Sequence, residues 1–270
     1  MRIVAGLQCY NEEDFVEQSI TSLYSFCDTI VVTEGCWNSG LNLIKSKRST
    51  DNTIEIIKSI PDPEKKIKLF HYNGNSQTDH RQYTLERSKQ YTPDWYLNGD
   101  CDEIFHENEI EKLLETLETD AYAVNPTHKL FWNGLKHYEL WKPAGRFFKF
   151  KDLDLNKICA SRSCCNTINY NNTDIYKHKI SPVDMYIYHP SYSKKIDRQK
   201  FKIHHRTMDN NIKFPHYIDK NLMFRGGTDP VEWVNKLFIQ DTDRLPSVLQ
   251  HHPAHDTSDM FDQYIKSTHI

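Results

Sequence analysis

The sequence predicts an α/β fold, a mostly parallel sheet flanked by helices, and three observations carry that expectation. Short apolar runs alternate with helix-like stretches from residue 2 to about residue 105. Several of these runs end in polar or acidic residues, and in open α/β sheets ligands collect at the carboxyl ends of the strands. Most pointed is Trp95-Tyr96-Leu97-Asn98-Gly99-Asp100-Cys101-Asp102-Glu103-Ile104, where a strand-like apolar run turns at once into carboxylates.

Each element has its own reason. Arg2 to Cys9 reads as a first strand. Asn11 suits a helix N-cap, and Glu12, Glu13 and Asp14 suit a first turn, where carboxylates offset the helix dipole. Val16, Ile20 and Leu23 follow at helical spacing. Thr29 to Glu34 reads as the second strand, which makes a β-α-β unit with a right-handed crossover. Cys36 to Arg48 reads as an exposed loop. Ser49-Thr50-Asp51-Asn52-Thr53 opens a helix bearing Ile54, Ile57 and Ile60. Ile67 to Tyr72 is a strand, and Thr78 to Tyr91 is a helix carrying Arg81 and Arg87.

Beyond the acidic stretch the pattern changes. Glu107 to Thr119 reads as an amphipathic helix with Ile110, Leu113, Leu114 and Leu117 on one face. Ala121–Trp132 and His137–Trp141 read as strands around an Asn133-Gly134 turn, and Arg146–Phe150 as another short strand. Residues 151 to 182 show little periodicity and read as a long loop. Met185–His189 is the last expected strand, Ser193–His205 a basic helix, and the remainder a helical tail. The expected division is a main domain over 1–195 and a helical extension over 196–270 packed on it.

Composition narrows the function. A chain of 270 residues holds one large α/β domain, or one with an appendage. A net charge of -3 argues against a general nucleic-acid binder. No apolar run is long enough to cross a bilayer. Met1 to Leu7 is too short for a signal peptide. Seven scattered cysteines match neither a zinc pattern nor a disulfide framework, so reduced thiols in a cytoplasmic protein are expected. Lys194, Lys195, Arg198 and Lys200 form a basic run, read as a solvated helix face or as a peripheral contact to an anionic membrane or glycan.

Asp100 and Asp102 point to a metal–diphosphate site. Mn²⁺ and Mg²⁺ are hard cations that take one or two protein carboxylates and complete their shell from water and phosphate oxygens. The alternative is an acidic strand end without a ligand.

Four motifs in order carry a resemblance: Cys9-Tyr10-Asn11-Glu12-Glu13, Val31-Val32-Thr33-Glu34-Gly35, Ser49-Thr50-Asp51-Asn52-Thr53 and Asp100-Cys101-Asp102-Glu103. Together they resemble glycosyltransferase family 2, over roughly residues 1 to 195. Cys9 stands where that family usually has threonine, and an insertion separates Thr33-Glu34-Gly35 from Ser49. Arg146-Phe147-Phe148-Lys149 and His189-Pro190-Ser191-Tyr192 resemble two later motifs of bacterial surface-glycan transferases. The resemblance implies a GT-A-type (Rossmann-like) mixed sheet. It also implies a metal-dependent, inverting transfer from a UDP- or GDP-sugar to a hydroxyl of a glycan.

It further implies that Cys9, Tyr10, Glu12 and Glu34 line the nucleotide pocket. Glu34 would accept a hydrogen bond from a base N–H, or else sit as a solvated strand end. Asp100 would contact the ribose or a metal-bound water, and Asp102 would bind Mn²⁺ or Mg²⁺, with His189 a further ligand. Arg81 would assist a phosphate, or else is a surface arginine. The family's usual Val-His-Glu segment is missing here; Ile158 to Cys165 stands in its place. The general base is then sought among Glu139, Asp174 and Asp184. Trp132 and Trp141 are the aromatics most suited to stack on an acceptor sugar. Two rivals remain: a nucleotidyltransferase, and a non-catalytic nucleotide- or glycan-binding protein of the same fold.

Overall fold

A computed structural model of the chain describes residues 1–36, 46–132, 134–135, 137–141, 146–150, 180–194, 239–240 and 244–253. Contacts divide the chain into two compact units, residues 1–128 with 141–188, and residues 129–140 with 189–270.

The first unit opens with β1 (Ile3–Cys9), α1 (Val16–Tyr24), β2 (Thr29–Glu34), α2 (Thr53–Ser59), β3 (Ile67–His71) and α3 (Gln77–Lys89). It continues with β4 (Trp95–Asp100), β5 (Ile104–Phe105) and α4 (Ile110–Leu117). β6 (Ala123–Trp132) begins in it and passes into the second unit at Lys129. β7 (His137–Trp141), β8 (Phe147–Lys149), β9 (Ile180–Tyr192) and β10 (Ile239–Gln240) follow.

Sheet order in the first unit is β6-β8-β4-β1-β2-β3. β4, β1, β2 and β3 run parallel, while β8 is antiparallel to both β4 and β6. β5 pairs with β9, Ile104 opposite Tyr188. The sheet is therefore mixed, as expected. Every residue of β2 is buried, which explains its continuous apolar run: a strand covered on both faces needs no alternation.

Ile3, Ala5, Leu7 and Cys9 of β1 join the main core with Val16, Ile20 and Leu23 of α1. The opposite face of β1 is narrow. A Cβ on Gly6 would overlap the Tyr96 hydroxyl and meet the Thr84 methyl of α3, so glycine lets α3 sit close to the sheet.

Three boundaries differ from expectation. α1 starts at Val16, and Asn11 does not cap it. Asn11 instead takes a left-handed φ of 52°. Its N–H donates to Ser49 Oγ (2.9 Å) and its Oδ1 accepts from Thr50 N–H (2.8 Å). Glu12 N–H donates to Thr53 Oγ1, and Glu13 N–H to Asp51. The polar residues that looked like a helix start are spent on stitching two loops together. The helix expected over Glu107–Thr119 begins as a 3-10 turn, Glu107–Glu109, before α4. β9 reaches well beyond the five residues expected for it.

The second unit pairs β10 with β7, Ile239 opposite Tyr138. Phe131 and Tyr138 rings meet at 5.6 Å, and Lys129 Nζ lies 4.7 Å over the Tyr138 ring. Ser193 Oγ donates to the Gly134 carbonyl (2.5 Å). Lys194 is buried, so it is not part of a solvated face. Lys195, Arg198, Lys200, most of the expected loop over 151–182 and most of the expected extension over 196–270 lie outside the described residues.

Candidate active site at the strand ends

The parallel strands bring Asp100 of β4, Gln8 of β1 and Thr33 of β2 side by side, and one step on Cys9, Glu34 and His71. Polar groups thus gather along the carboxyl edge of the sheet.

β4 ends in a tight turn. Glu103 N–H donates to the Asp100 carbonyl (3.1 Å), and Cys101 N–H to the Gln8 carbonyl (3.4 Å). Asp100 is half-buried, while Asp102 and Glu103 are buried. Arg81 reaches from α3 and donates to Asp100 Oδ1 (2.9 Å) and Asn98 Oδ1 (2.8 Å). It is buried, not a surface arginine. On the other side Arg146 Nη2 stands 3.7 Å from Asp100 Oδ2 and makes a much closer bond to Glu103 Oε1. Glu103 Oε1 also meets His128 Nε2 at 3.0 Å. Burial works against the Glu103 charge, but Arg146 and His128 outweigh it and hold the carboxyl below its usual range. The half-exposed Trp141 ring stands edge-on to His128, centroids 5.4 Å apart.

Glu34 is fully buried, which removes the solvated strand end as an account of it. Its Oε1 accepts from Ser49 N–H (2.5 Å), and its Oε2 faces His71 Nδ1 (3.3 Å) and Arg48 Nη1 (3.6 Å). Glu34 therefore fastens the loop after residue 45 to the sheet. The half-buried Tyr10 hydroxyl donates to the Ser46 carbonyl (3.0 Å) on the same loop. Cys9 is buried against Cys101; burial first, then that neighbour, push its thiol well up, so it is an inert neutral group. The Glu12 carbonyl accepts from Val16 N–H (3.0 Å) at the start of α1.

The structure brings Cys9, Tyr10, Glu12, Glu34, Arg81, Asp100 and Asp102 together in the first unit. Asp184 is solvent-exposed on β9 and pairs with Lys112 (3.0 Å), an ordinary surface ion pair. His189 is buried in the second unit. The side chains of Glu139 and Trp132, and all of Asp174, lie outside the described residues.

Sequence reasoning did not single out His128, and it noted Arg146 only within a family-like motif, with no role in the site. A lone histidine in an apolar strand carries no signal. Arg146, a cation heading the Phe147-Phe148 run, could have been suspected, because a charge at the edge of a buried strand needs a partner.

The family model for glycosyl transferase family 2 matches residues 6–225. The chain belongs to glycosyltransferase family 2. No curated protein matches the chain. Among solved structures, residues 1–349 of TarS from S. aureus share 15% identity with this chain at a TM-score of 0.47. That likeness covers 70% of this chain and 60% of the TarS chain. The Pyrobaculum calidifontis mannosyltransferase PcManGT, solved with GDP-Man and Mn²⁺, shares 13% identity over 87% of this chain and 68% of its own, at a TM-score of 0.45. A 4-diphosphocytidyl-2C-methyl-D-erythritol synthase from Anaerococcus prevotii shares 12% over 76% and 95%, at 0.41. With TM-scores below 0.5, none of the three bears on activity.

The donor set suits a divalent cation. Asp100 and Asp102 offer hard carboxylate oxygens at the strand end. Beside Asp100, the Gln8 Nε2 donor is buried with no hydrogen-bond partner among the described residues, as expected of a group that meets an oxygen of a bound ligand.

Proposed function

We propose that this member of the family is a glycosyltransferase with a GT-A-type sheet that moves a sugar from a nucleotide diphosphate sugar, UDP- or GDP-linked, to a hydroxyl of a glycan, with inversion and with dependence on Mn²⁺ or Mg²⁺. The observation that carries the reading is the acidic turn closing β4, with Arg81 on one oxygen of Asp100 and the buried Gln8 donor in the next strand.

Asp100 and Asp102, both in the first unit, would hold the cation, which when bound neutralises the charge of a departing diphosphate. Arg81 fixes the Asp100 carboxylate through a charge-assisted bond, so the carboxylate is oriented before any ligand arrives. Gln8 would donate to a ligand oxygen. Glu34 and Tyr10 hold the loop from residue 46 onward against the sheet and so shape the wall where a base would lie. Cys9 contributes packing, and Trp141 offers a half-exposed ring for an acceptor sugar. Among the described residues no helix is long and apolar enough to cross a membrane. A cytoplasmic setting, with nucleotide sugars at hand, fits this reading.

The test is thermal stabilisation by a panel of nucleoside diphosphates and nucleotide sugars, each with Mn²⁺ or with EDTA, followed by sugar transfer to hydroxyl acceptors. A ligand that binds only the native state raises its stability. The expected result is a metal-dependent shift with one donor, lost in Asp102→Ala, and transfer from that donor. No shift with any donor at saturating metal would sink the nucleotide-sugar site.

A further inference from the structure

The Glu103–Arg146–His128 cluster has no role in the reaction as described, yet it is deeply buried in the first unit. All three side chains are at most 2% exposed. Glu103 is fixed in four ways. Its Oε1 takes Arg146 and His128, its Oε2 accepts from the Asp100 N–H (3.4 Å), its N–H donates to the Asp100 carbonyl, and its own carbonyl accepts from Ser19 Oγ (2.9 Å). Arg146 is held at its backbone as well, where its carbonyl accepts from Asn98 N–H (2.9 Å) and its N–H donates to the Val124 carbonyl (3.1 Å).

Among the described residues Arg146 thus has two carboxylates within reach, Glu103 and Asp100, and is unequally shared between them. It closes fully on Glu103 and stays 3.7 Å from Asp100 Oδ2, although a guanidinium–carboxylate bond closes to about 2.7–2.9 Å when nothing opposes it. Asp100 is meanwhile engaged by Arg81 on its other oxygen.

We infer that Glu103 is a positioning residue: it tethers Arg146 and keeps that guanidinium from closing onto Asp100 Oδ2, the oxygen that a cation would use. This rests on the proposed metal role of Asp100. A guanidinium and a divalent cation compete for the same lone pairs, so the tether sets the metal affinity of the site without touching the metal. His128 supports it by meeting the same Glu103 oxygen from β6, with Trp141 against its ring.

The test is a double-mutant cycle on the full chain, E103Q, R146Q and E103Q/R146Q, read as Mn²⁺ affinity by electron paramagnetic resonance, with UDP and separately with GDP present. A charge-assisted bond released onto Asp100 predicts Mn²⁺ binding about ten- to hundred-fold weaker in E103Q. R146Q alone changes affinity little, and the double variant returns close to wild type. Additive effects would mean that the two charges act only through their fields, and would overturn the tether. E103D keeps the charge and shortens the tether by one carbon. It is expected to show an intermediate loss that R146Q restores, and wild-type affinity in E103D also overturns the proposal.

A crystal structure of E103Q gives a metal-free reading. Arg146 should close to about 2.8 Å from Asp100 Oδ2; a gap unchanged from wild type refutes the tether. Absence of Mn²⁺ binding in wild type with either nucleotide would sink the metal reading of the site itself, and the crystal structure would still decide whether Glu103 restrains Arg146.

Discussion

His80 makes the native state sensitive to mild acid. It sits on α3, 1% exposed, stacked on Tyr72 with centroids 4.0 Å apart and planes 5° off parallel. Its Nε2 lies 3.0 Å from the Thr33 carbonyl, to which it donates. Burial, above all, lowers its pKa from 6.5 to about 3. The depressed value means that the unfolded chain takes up the proton first as pH falls. The stability from keeping His80 neutral is whole above the unfolded value, drains as pH drops below 6.5, and is lost once pH passes the folded value near 3. Between the two values the slope is about 1.4 kcal/mol per pH unit. From about pH 7 to about pH 5 the loss is then about 2 kcal/mol, before most carboxylates begin to titrate. The assay is urea unfolding at both pH values for wild type and His80→Gln, which keeps an N–H donor but does not titrate. Because the chain has 14 histidines, the quantity to read is the difference between the two proteins' pH dependences. Wild type should lose about 2 kcal/mol more than the variant. Equal losses would refute the claim that His80 is held neutral by burial.

Two further outcomes follow from the same geometry. Gly35 has a φ of +148°, and a Cβ there would overlap the Tyr72 carbonyl oxygen. Gly35→Ala should therefore destabilise the fold by about 2 kcal/mol or more, read as a lower urea midpoint at unchanged m-value. Arg81→Met removes a bond pair whose members are 10% and 31% exposed. It should destabilise by about 2 kcal/mol, less than a fully buried pair because Asp100 keeps some solvent, and lower Tm by roughly 4–8 °C. Calorimetry with and without Mn²⁺ checks it, and a shift within error would show that Asp100 needs no cationic partner.

Much of the first hundred residues was legible. β1, β2 and β4 each carry an uninterrupted apolar run (Ile3–Leu7, Ile30–Val32, Trp95–Leu97), because strands covered on both faces need no alternation. The Asp100–Glu103 turn was visible because three carboxylates in four residues are hard to place anywhere but at a strand end. What the sequence hid was long-range pairing. Asn11, Glu12 and Glu13 have the composition of a helix start, and only the fold reveals that residues 49–53 compete for them. Glu34 carries no mark that separates a buried fastener from a solvated end. Arg146 and His128 lie 43 and 25 residues from the glutamate that they share, a spacing that no local pattern can register.

The hydrogen bond from Cys36 N–H to the Lys47 carbonyl (3.0 Å) means that the chain leaves the sheet and returns to it at adjoining points. With Glu34 gripping Ser49 just beyond, the mouth of that excursion is set by the sheet edge, not by what lies between. Doubling the length of a closed loop costs only about 0.6 kcal/mol. By that closure term alone, a change in the number of residues between the two points costs little. Beside the edge proposed to bind the donor, a closure fixed by Cys36, Lys47 and Glu34 leaves the sheet insensitive to the length of chain between them.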